Sequence, residues 1–180
     1  MRQTVFAVDR ALERLYAACG AVAALAIVGI AVLVATSILS RLLGVYIAGL
    51  TEGAGYLMAA AGAFGLAYTF TSGGHIRVDL ILGAVPARLR KVFEFVAVAL
   101  TTGAMLFLAW FLFRMVRISH KFGDLSDGSD GLPLWVPQLP AALGFGVFAL
   151  ALIHSFVKYC ITGETGWRQT GNLLSDQDRA

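Results

Sequence analysis

Four stretches of the chain run without a strongly charged side chain, and the charges gather between them. Residues 15–40 are fenced by Arg14 and Arg41, residues 53–74 by Glu52 and His75, and residues 95–113 by Glu94 and Arg114. The fourth stretch covers 131–157, with His154 as its one titratable group; Pro133, Pro137 and Pro140 are expected to delay its regular helix to about Ala141. A hydrocarbon layer of about 30 Å takes roughly 20 apolar residues in a helix, and inside it every backbone amide must be paired within its own segment. The pattern therefore predicts an all-α integral membrane protein with four transmembrane helices, at about 15–40, 53–74, 90–113 and 139–158. Before the first span, Val5, Phe6, Val8, Leu12 and Leu15 are interleaved with Arg2, Asp9, Arg10, Glu13 and Arg14. That interleaving predicts an N-terminal interfacial helix. Residues 1–161 are expected to form a single four-helix membrane domain and 162–180 a polar cytoplasmic tail, with Trp167 as an interface anchor.

Composition removes the soluble alternatives. Hydrophobic residues make up 58% of the 180 and charged residues 14%, with a mean hydropathy of +0.77. A soluble domain carries about 25% charge, so this chain cannot keep its surface in water. A disordered chain and a nucleic-acid binder with a broad basic surface are excluded on the same ground. Cys19 and Cys160 lie far apart with no CxxC pair, which argues against a disulfide framework or the usual zinc and redox motifs. The first apolar run is too long for a signal-peptide core and is read as retained. Ten of the 14 Lys and Arg residues fall at the N-terminus, in the second connection and in the tail; Arg41, Arg114, Arg117 and Lys121 fall in the other two connections. Positive charge stays inside, so both termini are expected in the cytoplasm.

The interiors of the spans have no ionisable group apart from His154. Such groups are costly in a bilayer and mark ion paths and substrate sites, so the chain is not expected to move a solute by itself. The spans are instead rich in small residues. Ala17, Ala21, Ala24, Val28, Ala31 and Ala35 recur at steps of three and four, and the second span holds Gly53, Gly55, Gly62 and Gly65 among alanines. Small faces let helices approach closely. The expectation is packing within the chain's own bundle, and the alternative is docking of a second membrane protein.

The most distinctive string follows the second span: Gly73-Gly74-His75-Ile76-Arg77-Val78-Asp79, leading to Pro86. The glycine pair releases the helix. In a short amphipathic segment His75 and Asp79 would share a face, leaving Arg77 for a phosphate or a partner's carboxylate. Pro86 suits the first position of the next helix, and Arg88, Arg90 and Lys91 would lie at the headgroups. In the third connection Asp124, Asp127 and Asp130 are spaced by three among glycines. That spacing lacks the close oxygen ligands and closing Glu of a calcium loop, and no metal or cofactor is expected. Asp-Gly turns are the plain reading; electrostatic docking of a basic partner is the functional one.

The order Glu52, Gly65, His75-Ile76-Arg77-Val78-Asp79, Pro86, Arg88 and Arg90 resembles the small permease (Q, DctQ-like) subunit of tripartite ATP-independent periplasmic (TRAP) transporters. Length and four spans agree, as does a later turn with Pro133, Trp135 and Gly144, over roughly residues 11–158. The resemblance implies a non-enzymatic subunit of the bacterial inner membrane. It further implies a large elevator-type membrane permease subunit and a periplasmic substrate-binding protein as partners, membrane lipids around the helices, no nucleic acid, and sodium-coupled uptake of an organic acid. The candidate partner-interface residues are then Glu52, Gly62, Gly65, His75, Arg77, Asp79, Arg114, Arg117, Asp124, Asp127, Pro133 and Trp135. Two rival readings remain open at this point. A haem-bearing membrane anchor of an oxidoreductase would use inward-facing histidines, with His75 and His154 as the conceivable pair and His120 on the other side. A stand-alone exporter would need a membrane-embedded acid, for which Glu52 is the sole candidate.

Overall fold

Each apolar run is helical in the computed structural model, which describes residues 2–72, 87–128 and 131–162. We label the helices α1 (Arg2–Leu42), α2 (Leu50–Thr71), α3 (Ala87–Phe122) and α4 (Trp135–Thr162). Three of them, over Arg10–Leu42, Phe95–Phe122 and Trp135–Lys158, are long and apolar enough to cross a membrane. The chain is therefore a multi-pass membrane protein. At 22 residues and 1.5 Å per residue α2 reaches about 33 Å, but it is not one of these three.

Helix ends depart from the sequence expectations in three places. The amphipathic N-terminal stretch is not a separate element, because α1 runs unbroken from Arg2. No Gly or Pro interrupts the first 19 residues, so nothing in the sequence stops the helix. Second, α4 starts at Trp135 rather than near 139–141. Pro137 falls in the first turn, where a missing N–H costs nothing. The Pro133 carbonyl accepts instead from the Val136 N–H at 3.0 Å, leaving Pro140 as the one proline inside the helix. Third, α3 extends beyond 113 to Phe122. Val116 and Ser119 are still buried there while Arg114, Arg117 and Lys121 are exposed, so one face goes on packing after the other has turned polar.

Glycine closes two of these helices. Past α1, the Val45 N–H bonds the Ser40 carbonyl at 2.8 Å and the Gly44 N–H bonds that of Arg41 at 3.1 Å, with Gly44 at φ +71°. This is a Schellman closure, which needs a left-handed residue. Gly123, at φ +67°, ends α3 in the same way, with the Asp124 N–H on the Ser119 carbonyl at 3.1 Å. Threonine hydroxyls inside the helices turn back to carbonyls three or four residues earlier: Thr36 to Val32, Thr101 to Ala97 and Thr102 to Val98, at 2.7–2.8 Å. Each polar group is thereby satisfied without water.

Among the described residues α1 packs on α2, α2 on α4, and α4 on α3, so α1 and α3 stand at the ends of a row. Glycine sets the closest approaches. A Cβ at Gly20 would lie 2.8 Å from the Tyr68 ring and one at Gly29 2.8 Å from Leu57, which brings α1 against α2. Gly144 of α4 meets Ala63 and the Phe64 backbone of α2. On α3 the positions facing α4 step by three and four through Thr102, Met105, Ala109, Leu112, Val116 and Ser119, a coiled-coil spacing. One apolar cluster joins all four helices: Cys19 from α1, Ala67 from α2, Phe148 and Leu152 from α4, with Met105 of α3 against them.

The alanine stripe expected to pack inside the bundle does not. Ala17, Ala21, Ala24, Val28, Ala31 and Ala35 are all exposed, and the buried line on α1 is Tyr16, Cys19, Ala23 and Ala26. The two lines are one position apart at several points, and one residue turns a helix by about 100°.

Candidate functional site

The third connection lies against the start of α2, just past the first connection, held by a hydrogen bond of 2.8 Å between the Tyr56 hydroxyl of α2 and Ser126 Oγ. The third connection is more ordered than an Asp-Gly loop requires. The Leu134 N–H bonds the Asp124 carbonyl at 2.9 Å and the Ser126 N–H bonds that of Leu132 at 2.8 Å, flanking an antiparallel bridge between Leu125 and Pro133. Ser126 Oγ also accepts from the Gly128 N–H at 3.2 Å. The loop is thus a small clasp closed on itself and fastened to the second turn of α2. Asp124 and Asp127 project from it, exposed.

The clasp gathers several of the sequence-predicted residues at this end. Glu52 lies half-buried in the first turn of α2, where the helix dipole favours an acid. Trp135 opens α4 with its ring edge-on to His120 at 5.1 Å, joining the end of α3 to the start of α4. Arg114 lies over the Trp110 ring at 5.6 Å, on the exposed side of α3, and Arg117 is exposed one turn further on. Pro133 is part of the bridge. The glycines sit elsewhere: Gly65 is in the α1–α2 seam, where an added Cβ would lie 3.8 Å from Ala23 Cβ, whereas Gly62 is exposed with open space beside it. His75, Arg77, Asp79, Pro86 and Asp130, the amphipathic segment after α2 and the tail from 163 lie outside the described residues.

Tyr56 and Ser126 escaped the sequence reading. The signal was present, since a tyrosine among the glycines and alanines of a membrane helix needs a partner for its hydroxyl. A double-mutant cycle with Tyr56→Phe and Ser126→Ala is expected to return a coupling of about 0.5–1.5 kcal/mol, read from thermal unfolding in detergent. Additive effects would mean the clasp is fastened by something else.

No catalytic constellation appears among these residues. The buried polar or titratable residues of the described chain are Ser40, Thr102, Ser119, Tyr16 and Cys19, and none is a carboxylate, amine, guanidine or imidazole. His154 lies 19 residues beyond Trp135, about 28 Å along α4, while His120 stacks on Trp135 itself. These two histidines cannot hold one haem between them. No curated protein matches the chain. Residues 30–160, from the middle of α1 through nearly all of α4, match the family of the DctQ component of tripartite ATP-independent periplasmic transporters. With that match spanning most of its length and a multi-pass helical fold, the chain belongs to the DctQ family: it is a small membrane subunit of a TRAP transporter and not an enzyme.

Proposed function

We propose that the chain is a four-span scaffold in the bacterial inner membrane. It braces the large elevator-type permease subunit and helps seat the periplasmic substrate-binding protein during sodium-coupled uptake of an organic acid. The observation that carries this reading is that no Asp, Glu, His, Lys or Arg side chain is buried among the described residues. Energising transport needs membrane-embedded groups that bind ions or cargo, so those groups belong to a neighbour. α2 serves as the fourth crossing, its 22 residues matching the hydrocarbon thickness. Residues 1–161 then form one membrane domain and 162–180 a cytoplasmic tail. The Lys and Arg bias supports termini in the cytoplasm, which turns the clasp toward the periplasm. There Asp124, Asp127, Arg114 and Arg117 offer both signs of charge to a soluble partner, and the string His75-Arg77-Asp79 lies on the cytoplasmic side, at the contact with the large subunit.

Reconstitution tests the reading. Vesicles holding this chain alone are expected to show no solute accumulation. Vesicles that also hold the large subunit and the binding protein should show uptake that collapses without a sodium gradient. Arg77→Ala should still insert but co-purify less of the large subunit. Concentration of a solute by the lone chain would overturn the scaffold role.

A further inference from the structure

Where α1 hands over to α2, the two helix ends and the connection between them enclose a cleft of about 100 Å³. It is lined by Ser37, Ser40 and Arg41 of α1, Tyr46 of the connection, and Thr51 and Glu52 of α2. Neither the clasp nor the packing of the row uses these groups as a set.

The cleft has two chemical poles. Arg41 is exposed, and its guanidinium has no hydrogen bond or ion pair among the described residues. Beside it opens the first turn of α2, capped by Gly49 at φ +83° without a side-chain acceptor. That turn already carries Glu52, the acid its dipole favours, so Arg41 is the group left to take an anion. This side takes an anion. The other side accepts. Ser40 is more than nine-tenths buried and donates its hydroxyl proton to the Ser37 carbonyl at 3.0 Å, so only the lone pairs of its oxygen remain for a ligand. Glu52 adds a carboxylate. A ligand matching both poles carries an anionic group and an N–H-bearing cation a few bonds apart.

The rim decides where such a ligand comes from. Leu42, Leu43, Val45, Tyr46 and Ile47 follow Arg41 without a charge, and all are exposed, Leu42 and Tyr46 at 79%. A connection in water does not present five neighbouring apolar side chains. This one continues the lipid-facing surface of Ile38 and Leu39 past the charge that fences the span. A bound molecule can therefore keep its polar end in the cleft and its chains along α1.

The geometry points to a phospholipid site: the cleft holds the headgroup of a zwitterionic lipid with a primary ammonium, its phosphate on Arg41 and its ammonium on Glu52 and Ser40. This assignment goes beyond the transport role and does not depend on it.

Native mass spectrometry of the delipidated full chain in mild detergent tests it, with dioleoyl phosphatidylethanolamine, phosphatidylcholine and phosphatidylglycerol as probes and inorganic phosphate as competitor. One phosphatidylethanolamine per chain is expected, in preference to the other two lipids, since choline has no N–H and glycerol no cation. Arg41→Gln should lower its occupancy about tenfold, the loss of one charge-assisted contact. Glu52→Gln and Ser40→Ala should each erase the preference for phosphatidylethanolamine while leaving phosphatidylglycerol binding in place. Arg41 is exposed, so its variant keeps the fold, and circular dichroism verifies this for all three. Equal binding of the three lipids, an adduct indifferent to all three substitutions, or displacement by excess inorganic phosphate would overturn the proposal; the last would leave a free-anion site.

Discussion

Gly144→Ala is expected to break the seam between α2 and α4 and to be the most damaging glycine-to-alanine change among the described residues. The added carbon would lie 2.7 Å from Ala63 Cβ, 2.8 Å from the Ala63 carbonyl carbon and 2.8 Å from the Phe64 nitrogen. Two of these three atoms are backbone inside a helix, so no rotamer change relieves the clash and the helices must separate. Overpacking of this kind costs about 1–3 kcal/mol, against a gain of about 0.5–1 kcal/mol for replacing a helical glycine by alanine. The clash wins. Gly144→Val should go further and abolish a monodisperse species in detergent. Gly62→Ala and Gly103→Ala are the controls. Neither added carbon would meet a neighbour within 4 Å, so both should be neutral or slightly stabilising in the same thermal unfolding series. A destabilised Gly62→Ala with an unaffected Gly144→Ala would refute the packing order.

The second large effect is expected from Phe148→Ala. Phe148 is buried at the one level where all four helices meet, beside Cys19, Ala67 and Leu152. Its ring stands edge-on to Phe70 at 5.7 Å with an interplanar angle of 72°. In a bilayer little hydrophobic drive acts between helices, so the loss is one of contact and ring pairing. Removing the ring leaves a cavity that four separate helices would have to close, and large-to-alanine changes of that kind cost about 3–5 kcal/mol. Phe107→Ala offers the comparison, since its ring is 64% exposed and pairs with the exposed ring of Phe111 on the same helix. Denaturant unfolding in micelles should show a clear drop in stability for Phe148→Ala and little change for Phe107→Ala.

The helices were legible because fenced apolar runs of this length have one solution in a bilayer, and the family was legible in the Glu52 to Arg90 string. Helix ends were harder. Counting charges ended α3 at Arg114, but the spacing Thr102, Ala109, Val116 shows that a packing face continues beyond it. Counting prolines delayed α4, although a proline in a first turn is harmless, as Pro137 shows. The alanine stripe on α1 failed for a different reason. Ala23 and Ala24 are equally small, and only the position of Tyr68 over Gly20 and Leu57 over Gly29 selects which line turns inward. Within the candidate site, Glu52 and Trp135 were visible from sequence. The Tyr56–Ser126 fastening joins residues 70 apart, and no local pattern announces such a pair.

The packing order of the helices also has a mechanical consequence. Among the described residues α1 packs extensively on α2 and α3 on α4, and all four helices share the cluster of Cys19, Ala67, Phe148 and Leu152 that Met105 flanks. Away from that level, bending is resisted by contacts between single helix pairs and, at the clasp, by the Tyr56–Ser126 hydrogen bond. Such a structure takes its stiffness from whatever flanks it, so the choice of surrounding amphiphile will govern its shape more than any one of its own residues.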